Sequence, residues 1–97
     1  MGKVIDISDY ELQRGKPMPS KLHSRLQANI LVQLVNNYQA KYDIFSELSL
    51  SLDGWDSVPD ICIYEKTEID YQNDEIELTI PPLCAIEIIS PTPMILL

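Results

Sequence analysis

The sequence predicts an α+β fold, within the broad α/β class, in which one long helix lies against a small sheet. Three patterns point there: apolar residues at four-residue steps (Leu22, Leu26, Ile30, Leu34, Tyr38), apolar residues at two-residue steps (Leu48, Leu50, Leu52), and a continuous apolar run over 83–89 interrupted only by Glu87. The 97 residues are read as a single domain, 1–97, able to bury roughly 60–65% of the surface that its unfolded chain exposes. That suffices for one core with little margin.

Residues 3–8 alternate weakly and read as a short edge strand, and residues 10–17 as a second strand ending in the turn at Gly15-Lys16-Pro17. Ser20, after Pro19, is the expected N-cap of the helix. Leu31 and Val35 widen the apolar stripe, Lys21, Arg25, Gln33 and Asn37 fall off it, and the pattern fades over residues 40–42. Leu26, Ile30 and Leu34 are expected to be its buried line.

After the helix, Ile44, Leu48, Leu50 and Leu52 share one parity, while Glu47, Ser49 and Ser51 share the other. The expected result is one half-buried strand, closed by the turn Asp53-Gly54, with residues 57–64 returning as its hairpin partner. Residues 65–74 are polar, their charges nearly all acidic (four acids to one lysine), as in a solvated loop or short helix. Pro81 and Pro82 stop any element, because neither donates to a sheet ladder. Residues 83–89 then form a last strand, apolar on both faces and so expected at a sheet's centre. Ser90-Pro91-Thr92-Pro93 ends a strand and prepares a helix, but only four residues follow.

Charge is unevenly placed. Residues 1–42 carry six Lys or Arg and three acids, net +3, and residues 43–97 one Lys and twelve acids, net −11, which together make the −8 of the chain. An acidic chain is a poor non-specific binder of nucleic acid, whose affinity comes from phosphate contacts; a nucleic-acid role would use the basic first half, with acids reserved for metal. No apolar stretch is long enough to span a membrane and none forms a signal-peptide core, so a cytoplasmic protein without membrane contact is expected. Cys62 and Cys84 lack the paired spacing of a zinc site and read as reduced core cysteines.

The residues with chemical promise are Asp60, opening the run Ile61-Cys62-Ile63-Tyr64, and Glu87, inside Ala85-Ile86-Glu87-Ile88-Ile89. A carboxylate among apolar neighbours costs several kcal/mol to ionise unless a cation or hydrogen-bond donor compensates it. Two of them on neighbouring strands suit one shared cation; their bland reading is a capping aspartate and a glutamate bonded to a neighbour. Glu47 is a third candidate, balanced against a solvent-facing strand residue. His23 reads as a surface residue at the start of the helix.

The order helix, strand, strand, strand, with Pro-Asp opening one strand and an acid in the next, resembles the PD-(D/E)xK restriction-endonuclease-like superfamily. More narrowly the chain resembles the Uma-two family, a bacterial group of endonuclease-like proteins. Pro19-Ser20-Lys21-Leu22-His23, Val58-Pro59-Asp60-Ile61 and Ala85-Ile86-Glu87-Ile88-Ile89-Ser90-Pro91-Thr92 carry the likeness, the last being similar to the family's Glu-Val-x-Ser-Pro-Ser/Thr. The resemblance implies a restriction-endonuclease-like core and hydrolysis of phosphodiester bonds in DNA. It also implies Asp60 and Glu87 as catalytic, metal-binding carboxylates, with the Ile88 carbonyl and Glu47 as further ligands of Mg²⁺ or Mn²⁺.

Ile89 stands where the superfamily has the lysine of its acid-x-Lys motif, and the Uma-two family commonly supplies that lysine from a helix after Ser-Pro-Ser/Thr. Lys66 has no spacing that recommends it as a substitute. The chain is therefore expected to be truncated before the last helix and strand. Two readings stay open, a metal-dependent endonuclease and a non-catalytic fragment that self-associates. A strand apolar on both faces, with one helix to cover it, also leads to an expected homo-oligomer, most simply a dimer.

Overall fold

The computed structural model describes residues 19–89, and the fold is α+β. The strands expected over 3–8 and 10–17, and the tail at 90–97, lie outside the described residues.

The helix α1 (Lys21–Tyr38) begins where Ser20, in extended conformation, accepts the His23 N–H on its side chain at 3.1 Å. Such a cap satisfies one of the N–H groups that a helix start leaves open and contributes about 1 kcal/mol. At the other end the Gln39 N–H reaches the Val35 carbonyl and the Lys41 N–H the Tyr38 carbonyl, so the chain turns at once into β1 (Tyr42–Ser46). Ile30, Leu31, Leu34 and Val35 are half-buried, as their spacing predicts. Leu22 and Leu26 are not: they are 56% and 39% exposed, and His23 and Gln27 take the inward places in the first two turns. The helix start faces the polar end of the sheet, at Ser46 and Asp60, where a leucine would find no apolar partner.

The strand expected from Ile44 to Leu52 is two strands, β1 and β2 (Ser49–Leu52). Glu47 breaks it with φ 53°, a left-handed conformation that costs a non-glycine residue roughly 1–2 kcal/mol. The returning strand is divided at the matching place into β3 (Trp55–Ser57) and β4 (Ile61–Glu65). β1 pairs antiparallel with β4, from Tyr42↔Glu65 to Ser46↔Ile61, and β2 with β3, from Leu50↔Ser57 to Leu52↔Trp55. One hairpin thus spans two sheets, and the Glu47 N–H bonds the Asp60 carbonyl across the bend at 3.1 Å. Its tip is Asp53-Gly54, where Gly54 takes φ 78°, strained for any residue bearing a Cβ.

Two short strands complete the sheets. β5 (Glu77–Leu78) runs parallel to β2, and β6 (Cys84–Ile86) antiparallel to β4, giving orders β3-β2-β5 and β1-β4-β6. The two residues of β5 are too few to leave a readable periodicity. Among the described residues β4, not the 83–89 run, is the central strand; β6 covers only three residues of that run and lies at the edge. The best-buried stretch is accordingly Pro59-Asp60-Ile61-Cys62 at the bend, joined by Leu50.

The sheet β1-β4-β6 has α1 on one face, where Gln27 meets Ser46 and the Tyr38 and Tyr42 rings meet edge to face. Phe45 and Tyr64 form an edge-to-face pair on the other face, beneath the 66–82 loop. That loop is solvated, as its composition predicts, and is tied at its start by Asp43, which accepts the Thr67 N–H at 3.1 Å. The cysteines divide: Cys62 is fully buried, but Cys84, expected in the core, is exposed on the edge strand.

Ile61, with no exposed surface, should lose about 3 kcal/mol or more as Ile61→Ala, whereas Leu26→Ala should cost under about 1 kcal/mol. Urea melts of the two variants check this. Equal losses would return Leu26 to the buried line.

Candidate functional site

The bend gathers the polar residues of the fold in one place. Extending the β1/β4 register one step past Ser46↔Ile61 sets Glu47 opposite Asp60, and extending the β4/β6 register one step past Ile61↔Ile86 sets Asp60 opposite Glu87. Three acidic positions, each one step beyond the end of one of three neighbouring strands, therefore stand in one row along the backbone.

Asp60 is the centre of the row and has no exposed surface. Its Oδ2 accepts the Ile88 N–H at 2.7 Å, a charge-assisted bond that ties β4 to the chain leaving β6. Its Oδ1 lies 3.2 Å from His23 Nε2. Those two atoms are at ion-pair distance but are not aligned as a hydrogen bond, so the enclosed Nε2 keeps its hydrogen-bonding capacity unspent. His23 is thus an inward residue whose side chain is 11% exposed, not the surface residue its place near the helix start implies. The Asp60 carbonyl, besides the Glu47 N–H, accepts from Gln27 Nε2 at 3.2 Å.

Gln27 is the residue that spacing missed. Its exposure is 7%, and its one amide nitrogen reaches Ser46 Oγ at 3.1 Å, the Asp60 carbonyl at 3.2 Å and Glu47 Oε2 at 3.3 Å. Two hydrogens serve three acceptors, so at least one bond is shared. The available signal was positional: His23 and Gln27 are four apart and continue, toward the helix start, the inward line of Ile30, Leu31 and Leu34.

The predicted residues fall unequally. Asp60 is buried, Glu47 is half-buried against Gln27 and so not merely solvent-facing, and Ile88 is half-buried with its N–H on Asp60. Glu87 is exposed rather than enclosed in its apolar run. Lys66 belongs elsewhere, its Nζ 3.5 Å from Asp43 Oδ1. Ile89, in the lysine slot, is 81% exposed. The Cys62 thiol beside the row is pushed up to about 11 by burial and stays protonated at neutral pH, which removes it as a nucleophile.

Carboxylate and carbonyl oxygens are the hard donors that Mg²⁺ and Mn²⁺ take as ligands. Among the described residues, however, no three His, Cys, Asp or Glu side chains converge closely enough to hold an ion as they stand.

A model of the Uma2 family, described as "Putative restriction endonuclease", matches residues 4–93. The chain belongs to the Uma2 family. Nothing matches it among curated proteins or among solved structures. The match covers α1, both sheets and the Asp60 and Glu87 positions, so the row lies within the Uma2 portion of the chain. Among the described residues no helix is long and apolar enough to cross a membrane.

Gln27→Ala should cost about 1–3 kcal/mol, because it strips a donor from three acceptors at the bend, while Gln33→Ala on the exposed side should stay within about half a kcal/mol. Paired denaturant melts check the difference. Indistinguishable variants would mean that the Gln27 amide holds nothing together.

Proposed function

We propose that this Uma2 protein is a divalent-metal-dependent endonuclease that hydrolyses phosphodiester bonds of DNA at the row of Glu47, Asp60 and Glu87. The observation that supports the reading is that these three acidic positions stand side by side at the ends of neighbouring strands, in a chain of a restriction-endonuclease family.

Each residue has a task in this reading. Asp60, fixed by the Ile88 N–H and flanked by His23, is the rigid carboxylate, so its orientation is set before any cation arrives. Glu87, exposed at the edge, is the adjustable carboxylate that closes on the cation and meets solvent and substrate. Glu47 and the Ile88 carbonyl complete the oxygen set, Glu47 being steadied by Gln27. A bound Mg²⁺ or Mn²⁺ would lower the pKa of a coordinated water and stabilise charge on the phosphoryl group. The acids themselves repel phosphate, so DNA contact falls to cationic side chains outside the row.

A second reading, a member that binds metal without cutting, is favoured by one observation: the lysine slot holds Ile89, which offers neither charge nor a donor to the row.

Glu87→Gln separates the outcomes. Wild-type protein should gain melting temperature with Mn²⁺ and nick supercoiled plasmid in the presence of metal. The variant should lose both, with apo stability within about half a kcal/mol of wild type, as befits an exposed side chain. Metal-induced stabilisation without nicking selects the second reading, and equal stabilisation of both proteins would remove Glu87 from the site.

A further inference from the structure

Away from the carboxylate row, two surfaces carry opposite charge around exposed apolar side chains. The first is the outer face of α1. Lys21 and Arg25 lie one turn apart there, accompanied by Leu22, 56% exposed, and Val32, 54% exposed. The first turn contains no acid. The helix therefore presents cations interleaved with exposed apolar side chains.

The second surface is a cavity of about 650 Å³ beneath the 66–82 loop, on the sheet face away from α1. Phe45, Leu48 and Leu78 line it, and Ile69 and Leu83, 51% and 60% exposed, stand among its lining residues. Among the described residues six acidic side chains also line it, Glu68, Asp74 and Glu75 among them, and no lysine or arginine does. Lys66 lies nearby but is paired with Asp43. Asp70 stays ionised readily, since its bonds from the Asn73 side chain and the Gln72 N–H hold its carboxyl below the usual range. The volume is that of a binding pocket, and the charge excludes phosphate.

We infer that the outer face of α1 in one copy of this chain docks in the acidic, apolar cavity of a second copy, with Lys21 and Arg25 against the acidic rim and Leu22 toward the apolar lining. An amphipathic helix laid in a groove is a recurrent mode of recognition, and here both halves of it are present on one chain. Reciprocal contacts close a two-fold dimer, whereas a single head-to-tail contact propagates into longer assemblies. The charges lie at solvent-exposed edges, so the association is salt-sensitive.

Sedimentation equilibrium of the full chain over micromolar to hundreds of micromolar concentrations tests this. Wild-type protein should associate in low salt and at least tenfold more weakly in 500 mM salt. Lys21→Glu with Arg25→Glu, and separately Glu68→Lys with Asp74→Lys, should each be at least tenfold weaker, and an equimolar mixture of the two variants should regain association. All four positions are exposed, and unchanged urea melts would show that the fold is kept. The second variant moves the net charge from −8 to −4, because each of its two reversals adds two charges. General repulsion would then fall and association rise, the reverse of what docking requires. A wild-type monomer throughout, an interface indifferent to both variants, or a mixture that stays apart would each overturn the inference.

Discussion

Everything that makes this chain more than a helix and a hairpin runs through Asp60. A buried carboxylate is expensive unless donors meet it, and Asp60, with no exposed surface, is met by the Ile88 N–H and flanked by the His23 imidazole. Its carbonyl meanwhile takes the Glu47 N–H and the Gln27 amide. One residue therefore joins β1, β4, the exit of β6 and the start of α1. These bonds hold the left-handed break at Glu47, and that break brings a third carboxylate into line with Asp60 and Glu87. The polar residue that closes the fold and the residue assigned to the metal are the same.

This double duty separates rigid from adjustable parts. Asp60 is enclosed by backbone and side-chain donors, and its place is fixed by the most buried segment of the chain, Pro59-Asp60-Ile61-Cys62. Glu87 sits one step beyond the last ladder pair of a strand that lies at the edge among the described residues, and is exposed. In the proposed site the deeper half, already fixed by donors, would need little rearrangement when a cation arrives.

The helix was legible because four-residue spacing survives local accidents, and Ser20 because its cap is a local bond. Membership of the Uma2 family was legible from short motifs. What alternation hid was the bend. Ile44 and Leu50 share a parity on paper although β1 and β2 belong to different sheets, since one left-handed residue redirects the chain without altering the count. Among the described residues the 83–89 run is not central, for a related reason. Unbroken apolarity reports a preference for cover, but pairing partners decide the order, and β4 has partners on both sides. His23 and Gln27 were unreadable as site residues because a polar side chain on an inward line declares itself only when its partner is known, and Asp60 reaches them from 37 and 33 positions along the chain.

The most direct test of the assignment is the place where a paramagnetic cation settles. Substoichiometric Mn²⁺ added to isotope-labelled protein broadens the amide resonances nearest to it. The predicted result is loss of the Glu47, Ile61, Glu87 and Ile88 signals before all others, with the acidic 65–77 segment little affected. Broadening that begins at Glu68, Asp70 or Asp74 and spares Ile61 and Ile88 would contradict it, because the cation would then belong to the solvated loop and not to the carboxylate row around Asp60.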